Sequence, residues 1–188
     1  MAIDWTQQLD EQLDWHWREQ ARPRLEGLTD EEYLWEPVAG CWSLRRRGPD
    51  TPVDAPGSGE WTCDFTFPPP QPEPVTTIAW RLAHVVVGVL GQRSASHFGA
   101  EFAWGPADYF RWRYVGTAAE ALEQLDATYG AWRAGVAALD AEGLARPVGP
   151  AEGDWAEHPM AELVLHINRE VIHHLAEVAL LRDLYAHR

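Results

Sequence analysis

The chain has 188 residues, 46% of them hydrophobic, and a formal charge of −14 from 29 acids against 15 bases, every base an arginine. That length and apolar content exclude a disordered composition and predict one domain, residues 1–188, with a sizeable core. The acidity disfavours phosphate backbones and anionic lipid, so neither nucleic acid nor a membrane is expected as a partner.

The opening MAIDWTQQLDEQLDW has neither the basic start nor the apolar core of a secretory signal, and no later run is long and apolar enough to span a bilayer. A cytoplasmic protein is therefore expected. Asp4 is a candidate N-cap, with Gln7 three residues on and Leu9, Leu13, Trp17 and Ala21 at helical spacing. These predict a first helix that ends or kinks near Pro23. His16 lies within it and reads as an exposed or hydrogen-bonded histidine. Thr29 to Glu32 form a capping box that opens a short helix through Trp35 and stops before Pro37.

From Val38 to Pro74, Gly, Pro and Asp accumulate, and Trp61 to Phe67 alternate as a strand does. A long loop with a short hairpin is expected, placed to cover the mouth of a site or to pack as an insertion on Trp42 and Trp61. Arg45, Arg46 and Arg47 read as a solvated loop cluster. Cys41 and Cys63 form no C-x-x-C and are expected as free thiols. Thr76 or Thr77 caps a second helix, Ile78 to about Ser96, whose Leu82, Val85, Val86, Val89 and Leu90 make a broad apolar face. His84 interrupts it on a side shared with Trp80, Gly88 and Gly91, where the missing side chains let another element approach. On its own it reads as a satisfied core histidine. Residues 99–116 are aromatic and irregular, suited to a pocket wall or to packing. Thr117 to Glu120 begin a third helix with core residues from Leu122 to Leu139, ending near Gly143.

Residues Arg146 to Glu157 lead into a last helix from His158 to Arg188, with Pro159 at its first position and no later Pro or Gly. Steps of three and four residues place His166, Glu170, His174 and Glu177 within about one quadrant of this helix, bordering its apolar face. His173 points further round. An imidazole or carboxylate turned toward a core needs a partner, and Glu170 with His174 can ligate one cation from a single helix. The plainer alternative leaves Glu170 on the surface, solvated or paired to Arg169 or Arg182.

Four long amphipathic helices with one long crossover between the first and second predict an all-α four-helix bundle. Leu28 to Pro37, Trp42-Ser43, Thr77 to His84 and His166 to Tyr185 together resemble the DinB/YfiT-like superfamily of small metal-binding bundles. That resemblance implies an up-down-down-up arrangement and a metal held by one histidine of the second helix and two ligands of the last. His84 matches the first. Where the family commonly has H-x-x-x-H, this chain has Glu170 and His174, similar to the mycothiol-dependent maleylpyruvate isomerase branch. The implied ligands are thus His84, Glu170 and His174. The sets His166 with Glu170, and His166 with His173, are alternatives.

Two histidines and a carboxylate favour zinc, with nickel as a second choice, and leave a position open for water or substrate. Glu177 is placed to orient a ligating histidine, and His166 to shuttle a proton or to serve the surface. The resemblance implies a transferase or isomerase acting on a small-molecule substrate with a low-molecular-weight thiol such as mycothiol. The alternatives are a metal-dependent hydrolase at the same site and a non-catalytic binding bundle. Helix faces left over for pairing are compatible with a homodimer.

Overall fold

The computed structural model describes residues 3–188. The chain is predominantly helical, in keeping with the all-α expectation, and carries one two-stranded hairpin. Helix α1, Trp5–His16, starts where the Asp4 carboxylate accepts the Gln7 backbone N–H at 3.1 Å. It widens into π-helical turns over Trp17–Ala21 and closes in a 3-10 turn, Pro23–Leu25. Thr29 Oγ1 accepts the Glu32 N–H and opens α2, Asp30–Tyr33.

The loop that follows is tied down by its own arginines. Strand β1, Leu44–Arg46, pairs antiparallel with β2, Trp61–Cys63, with Arg45 opposite Thr62. Arg45 and Arg47 are not the solvated residues that the sequence suggests. Arg47 donates to the carbonyls of Ala55, Gly57 and Gly59, and Arg45 bridges Glu36 and Asp64 while donating to the Cys41 carbonyl. A segment with little regular structure must satisfy its backbone acceptors by other means, and a guanidinium with five donors does so for several at once. Arg46 alone stays on the surface, near Glu60. Cys41 and Cys63 are both free and buried.

The second long helical segment is capped by Thr77 Oγ1, which accepts the Trp80 N–H. It runs as α3, Ile78–Ala83, then π-helical turns over His84–Gly91, then α4, Gln92–Phe98, and ends at Gly99 with φ 68°. The junction residues His84 and Gln92 keep right-handed helical angles, so the three pieces form one rod with a widened middle. Helix α5, Ala118–Ala137, begins at the Thr117 cap. The expected third helix breaks earlier than Gly143, because Asp140 caps a separate short helix α6, Ala141–Ala145. The linker holds a 3-10 segment, Pro150–Trp155, and Pro159 stands in extended backbone as the N-cap of α7, Met160–Ala186, rather than as its first residue.

The rod packs on α5 and α7, and α1 closes against both. Leu82, Val86 and Leu90 of the rod, Leu125 and Trp132 of α5, and Val164, Ile167 and Val178 of α7 are buried in one contiguous core. Each such side chain contributes about 1.5–3 kcal/mol of transfer free energy. Trp17 lies flat on Tyr129 with ring centroids 3.8 Å apart, fixing α1 to α5. At the far end of α7, Arg182 reaches the buried Glu32 carboxylate at 2.6 Å and also donates to the Glu26 carbonyl, which anchors the first crossover to the last helix. Glu32→Ala leaves that largely buried guanidinium without its counter-charge, and unfolding free energy is expected to drop by about 3 kcal/mol, read by denaturant titration. A loss within experimental error would show that water replaces Glu32 at no cost.

Candidate metal centre

The rod and α7 run antiparallel and meet along a polar seam. His84 is the first residue of the widened turns of the rod, and Glu170 and His174 lie one turn apart on α7. Each of the three offers a ligand atom, and these atoms lie within 4.8 Å of one another. The two imidazoles meet edge to face, with centroids 4.8 Å apart at 87°. His174 is 7% exposed, so its charge and hydrogen bonds must be settled within the seam.

Each ring is oriented by a partner on its far nitrogen. His174 Nδ1 lies 2.8 Å from Glu177 Oε2 and 3.3 Å from an Arg81 guanidinium nitrogen. One nitrogen cannot donate to the carboxylate and accept from the guanidinium together, and the shorter, charge-assisted contact decides for donation to Glu177. Arg81 Nε stands 3.0 Å from the same carboxylate oxygen, as an ion pair rather than an aligned hydrogen bond. His174 Nε2 is thereby turned toward Glu170 Oε2 at 3.3 Å. His84 Nδ1 is bonded to the Tyr109 hydroxyl at 2.7 Å, leaving Nε2 as its free ring nitrogen. Its ring lies nearly parallel to Trp80, 5.4 Å away. Burial, helped by His174, Arg81 and Arg93 nearby, pushes its pKa down to about 3, so His84 is a neutral imidazole at neutral pH.

These partners show what the site fits. A proton on His174 Nε2 satisfies that nitrogen and Glu170 but leaves His84 Nε2 without a hydrogen-bond partner. A divalent cation satisfies all three donors, and the far-side bonds to Glu177 and Tyr109 are the kind that fix ligating histidines. His173 is exposed and lies 3.5 Å from Glu177 through Nε2. With His174 and Glu177 it forms a second, more exposed group of three potential ligand atoms. His166 stands outside both groups, 3.7 Å from Glu170, with its Nδ1 accepting from Arg169 at 2.7 Å. Arg182, one suggested partner of Glu170, is committed to Glu32; Arg169 Nε lies 3.8 Å from Glu170.

Sequence reasoning did not single out Arg81, and it placed Tyr109 only among the aromatic residues of 99–116 suited to a pocket wall or to packing. Tyr109 arrives on the irregular 99–116 segment, which has no periodicity that could assign its direction. The sequence signal for its contact with His84 was Gly88. A Cβ there would lie 2.0 Å from the Tyr109 hydroxyl, so glycine is what admits the phenol to His84. Phe65, stacked on Tyr109 at 5.2 Å, and the Tyr114 hydroxyl, donating to the Tyr109 carbonyl, hold it there.

A model of the DinB superfamily matches residues 12–178. No curated protein and no solved structure matches the chain.

Two outcomes are expected from this geometry. Gly88→Ala displaces the Tyr109 hydroxyl, costs about 1–3 kcal/mol of stability through overpacking, and shifts the His84 ring nitrogen resonances; unchanged resonances would place Tyr109 elsewhere in solution. In metal-free protein His84 is neutral down to about pH 3 when folded but binds a proton near 6.5 when unfolded. Between those values the unfolded chain holds the extra proton, so stability falls as pH drops, with a limiting slope of about 1.4 kcal/mol per pH unit from this group. His84→Phe is expected to remove that contribution from a urea series between pH 6.5 and 4, and equal slopes in both proteins would refute it.

Proposed function

Since this chain belongs to the DinB superfamily, we propose that His84, Glu170 and His174 hold one divalent cation and that the protein is a metal-dependent enzyme acting on a small molecule. The observation that carries this reading is the convergence of three donor atoms from two helical elements, each histidine braced from behind. We read the packing of α1, the rod, α5 and α7 as one four-helix bundle of the up-down-down-up kind, the arrangement in which such sites form between facing helices. No helix among the described residues is long and apolar enough to cross a membrane.

Two imidazoles and one carboxylate suit zinc first and nickel second. When bound, such a cation supplies Lewis acidity toward a thiol, a water molecule or a carbonyl group. The protein's own groups do the rest. Glu177 keeps His174 in the tautomer that presents Nε2, and Tyr109 orients the His84 ring through Nδ1, leaving Nε2 for the cation. Arg81 balances Glu177, so that carboxylate braces His174 rather than competing with Glu170 for the cation. Trp80 and the aromatic 99–116 segment wall off one side of His84, limiting access of water. The Glu170/His174 pair, in place of two histidines, is similar to the mycothiol-dependent maleylpyruvate isomerase branch, and that resemblance supports a transferase or isomerase that uses a low-molecular-weight thiol such as mycothiol.

The test is elemental analysis of untagged protein beside His84→Ala, Glu170→Ala and Tyr109→Phe. About one zinc or nickel per chain is expected in the wild type. It should be lost in the two alanine variants and bound about tenfold more weakly in Tyr109→Phe, as for other partners that orient a ligand. Folded wild-type protein that takes up no divalent metal on titration would overturn the reading. Activity screens with and without added thiol then separate a thiol-dependent reaction from one that proceeds without it.

A further inference from the structure

A cavity of about 430 Å³ opens between α4, the 149–158 connection and α7, and includes His166 and Arg169 in its wall. That volume falls within the range of small-molecule sites. It borders the candidate metal centre: His166 Nδ1 and Arg169 Nε lie 3.7 and 3.8 Å from Glu170 Oε1. A molecule in it therefore reaches the seam within about one helical turn.

The wall has donors to spare. Of the two carboxylates that line it, the largely buried Glu152 is engaged through both oxygens and the exposed Glu162 through one. Glu152 accepts from Arg93 at 3.1 Å and faces His97 Nε2 at 2.9 Å, and Glu162 lies 2.9 Å from His158 Nδ1. Arg93 spends its terminal nitrogens on Glu152 and the Gly88 carbonyl, while its Nε is buried with no hydrogen-bond partner. Arg169 gives one N–H to His166 Nδ1. Arginine only donates, so His166 Nδ1 must accept and the ring proton sits on Nε2, adding a further donor. The remaining wall is apolar, formed by Val148, Leu163 and the indole of Trp155, which is 60% exposed.

We propose that this cavity binds the carboxylate of a small organic acid, with Arg169 as its main anchor and Trp155 against its apolar body. The proposal deepens the preceding one and rests on it, since it makes the cavity the place where the substrate's acid group is held beside the metal centre. Unpartnered guanidinium and imidazole donors select an acceptor-rich anion, and a flat guanidinium matches a carboxylate in two-point geometry. On a chain of net charge −14 an anion site needs such local donors to offset the overall field.

The probe is benzoate, with benzamide as its uncharged match, titrated by calorimetry into the full chain in metal-free and zinc-treated form after metal content is measured. Benzoate is expected to bind and benzamide to bind more weakly. Arg169→Gln, a substitution at an exposed residue, should weaken benzoate about tenfold, the effect of one charge-assisted hydrogen bond, and leave benzamide unchanged. Trp155→Ala should weaken both. Absence of benzoate binding, or binding indifferent to Arg169→Gln, would overturn the assignment. Binding that needs zinc and ignores Arg169 would put the carboxylate on the cation instead, refuting the cavity while leaving the metal reading intact. Failure to take up zinc is read in the same samples and refutes that reading alone, because the metal-free titration still decides the cavity.

Discussion

The fold depends on a polar seam inside an apolar interface. Where the rod meets α7, the buried His174 and the largely buried His84 face Glu170, Glu177 and Arg81, with hydrophobic core on either side. An unpaired group there would be costly, so each neighbour is constrained by the need to satisfy it. Glu177 is fixed by two partners, His174 and Arg81, and Arg81 is held in place over the face of Trp80, 5.3 Å from its ring. Burial lowers the Arg81 pKa, and the Glu177 carboxylate opposes that shift. These groups form a chain in which removing any one strands the next.

The irregular segments are organised by the same seam. The Asp64 carbonyl accepts the Trp80 indole N–H at 2.7 Å, while its carboxylate takes the Ser43 N–H and Arg45. The long loop is thus tied through Asp64 to the ring that lies parallel to His84. From the other side, the 99–116 segment delivers Tyr109 to the same imidazole through the notch at Gly88. Two stretches without helical periodicity therefore grip one histidine, and their lack of regular structure suits the task. A helix or strand presents side chains at fixed intervals, whereas an irregular chain can aim a single ring, here Tyr109, where it is needed.

Much of the helical framework is legible in the sequence, because caps and apolar spacing are local signals. Asp4, Thr29, Thr77 and Thr117 each cap the helix that follows, and the apolar face from Leu82 to Leu90 turns inward. The approach of Glu170, His174 and Glu177 also follows from helical spacing once one face of α7 is buried. What spacing cannot give is the pairing between distant segments. The partner strand Leu44–Arg46, the arginine clasp of the loop and the Tyr109 contact all depend on tertiary approach. The break before α6 was hidden because Asp140 lies beside a run that keeps helical apolar spacing through Leu139. Pro159 fits either the cap or the first turn, and only its extended ψ of 150° separates them.

The glutamate of the proposed centre has an electrostatic consequence of its own. Three neutral imidazoles leave the full charge of a divalent cation, whereas two imidazoles and a carboxylate leave one net positive charge. A single anionic group from a substrate then neutralises the site in a seam where uncompensated charge is expensive. The same carboxylate, once committed to a cation, interacts less with Arg169, whose Nε stands 3.8 Å from it. Loading the centre thus leaves that guanidinium freer for an acid group in the adjoining cavity. In the proposed scheme, filling either position would favour filling the other, since both draw on the charge of Glu170.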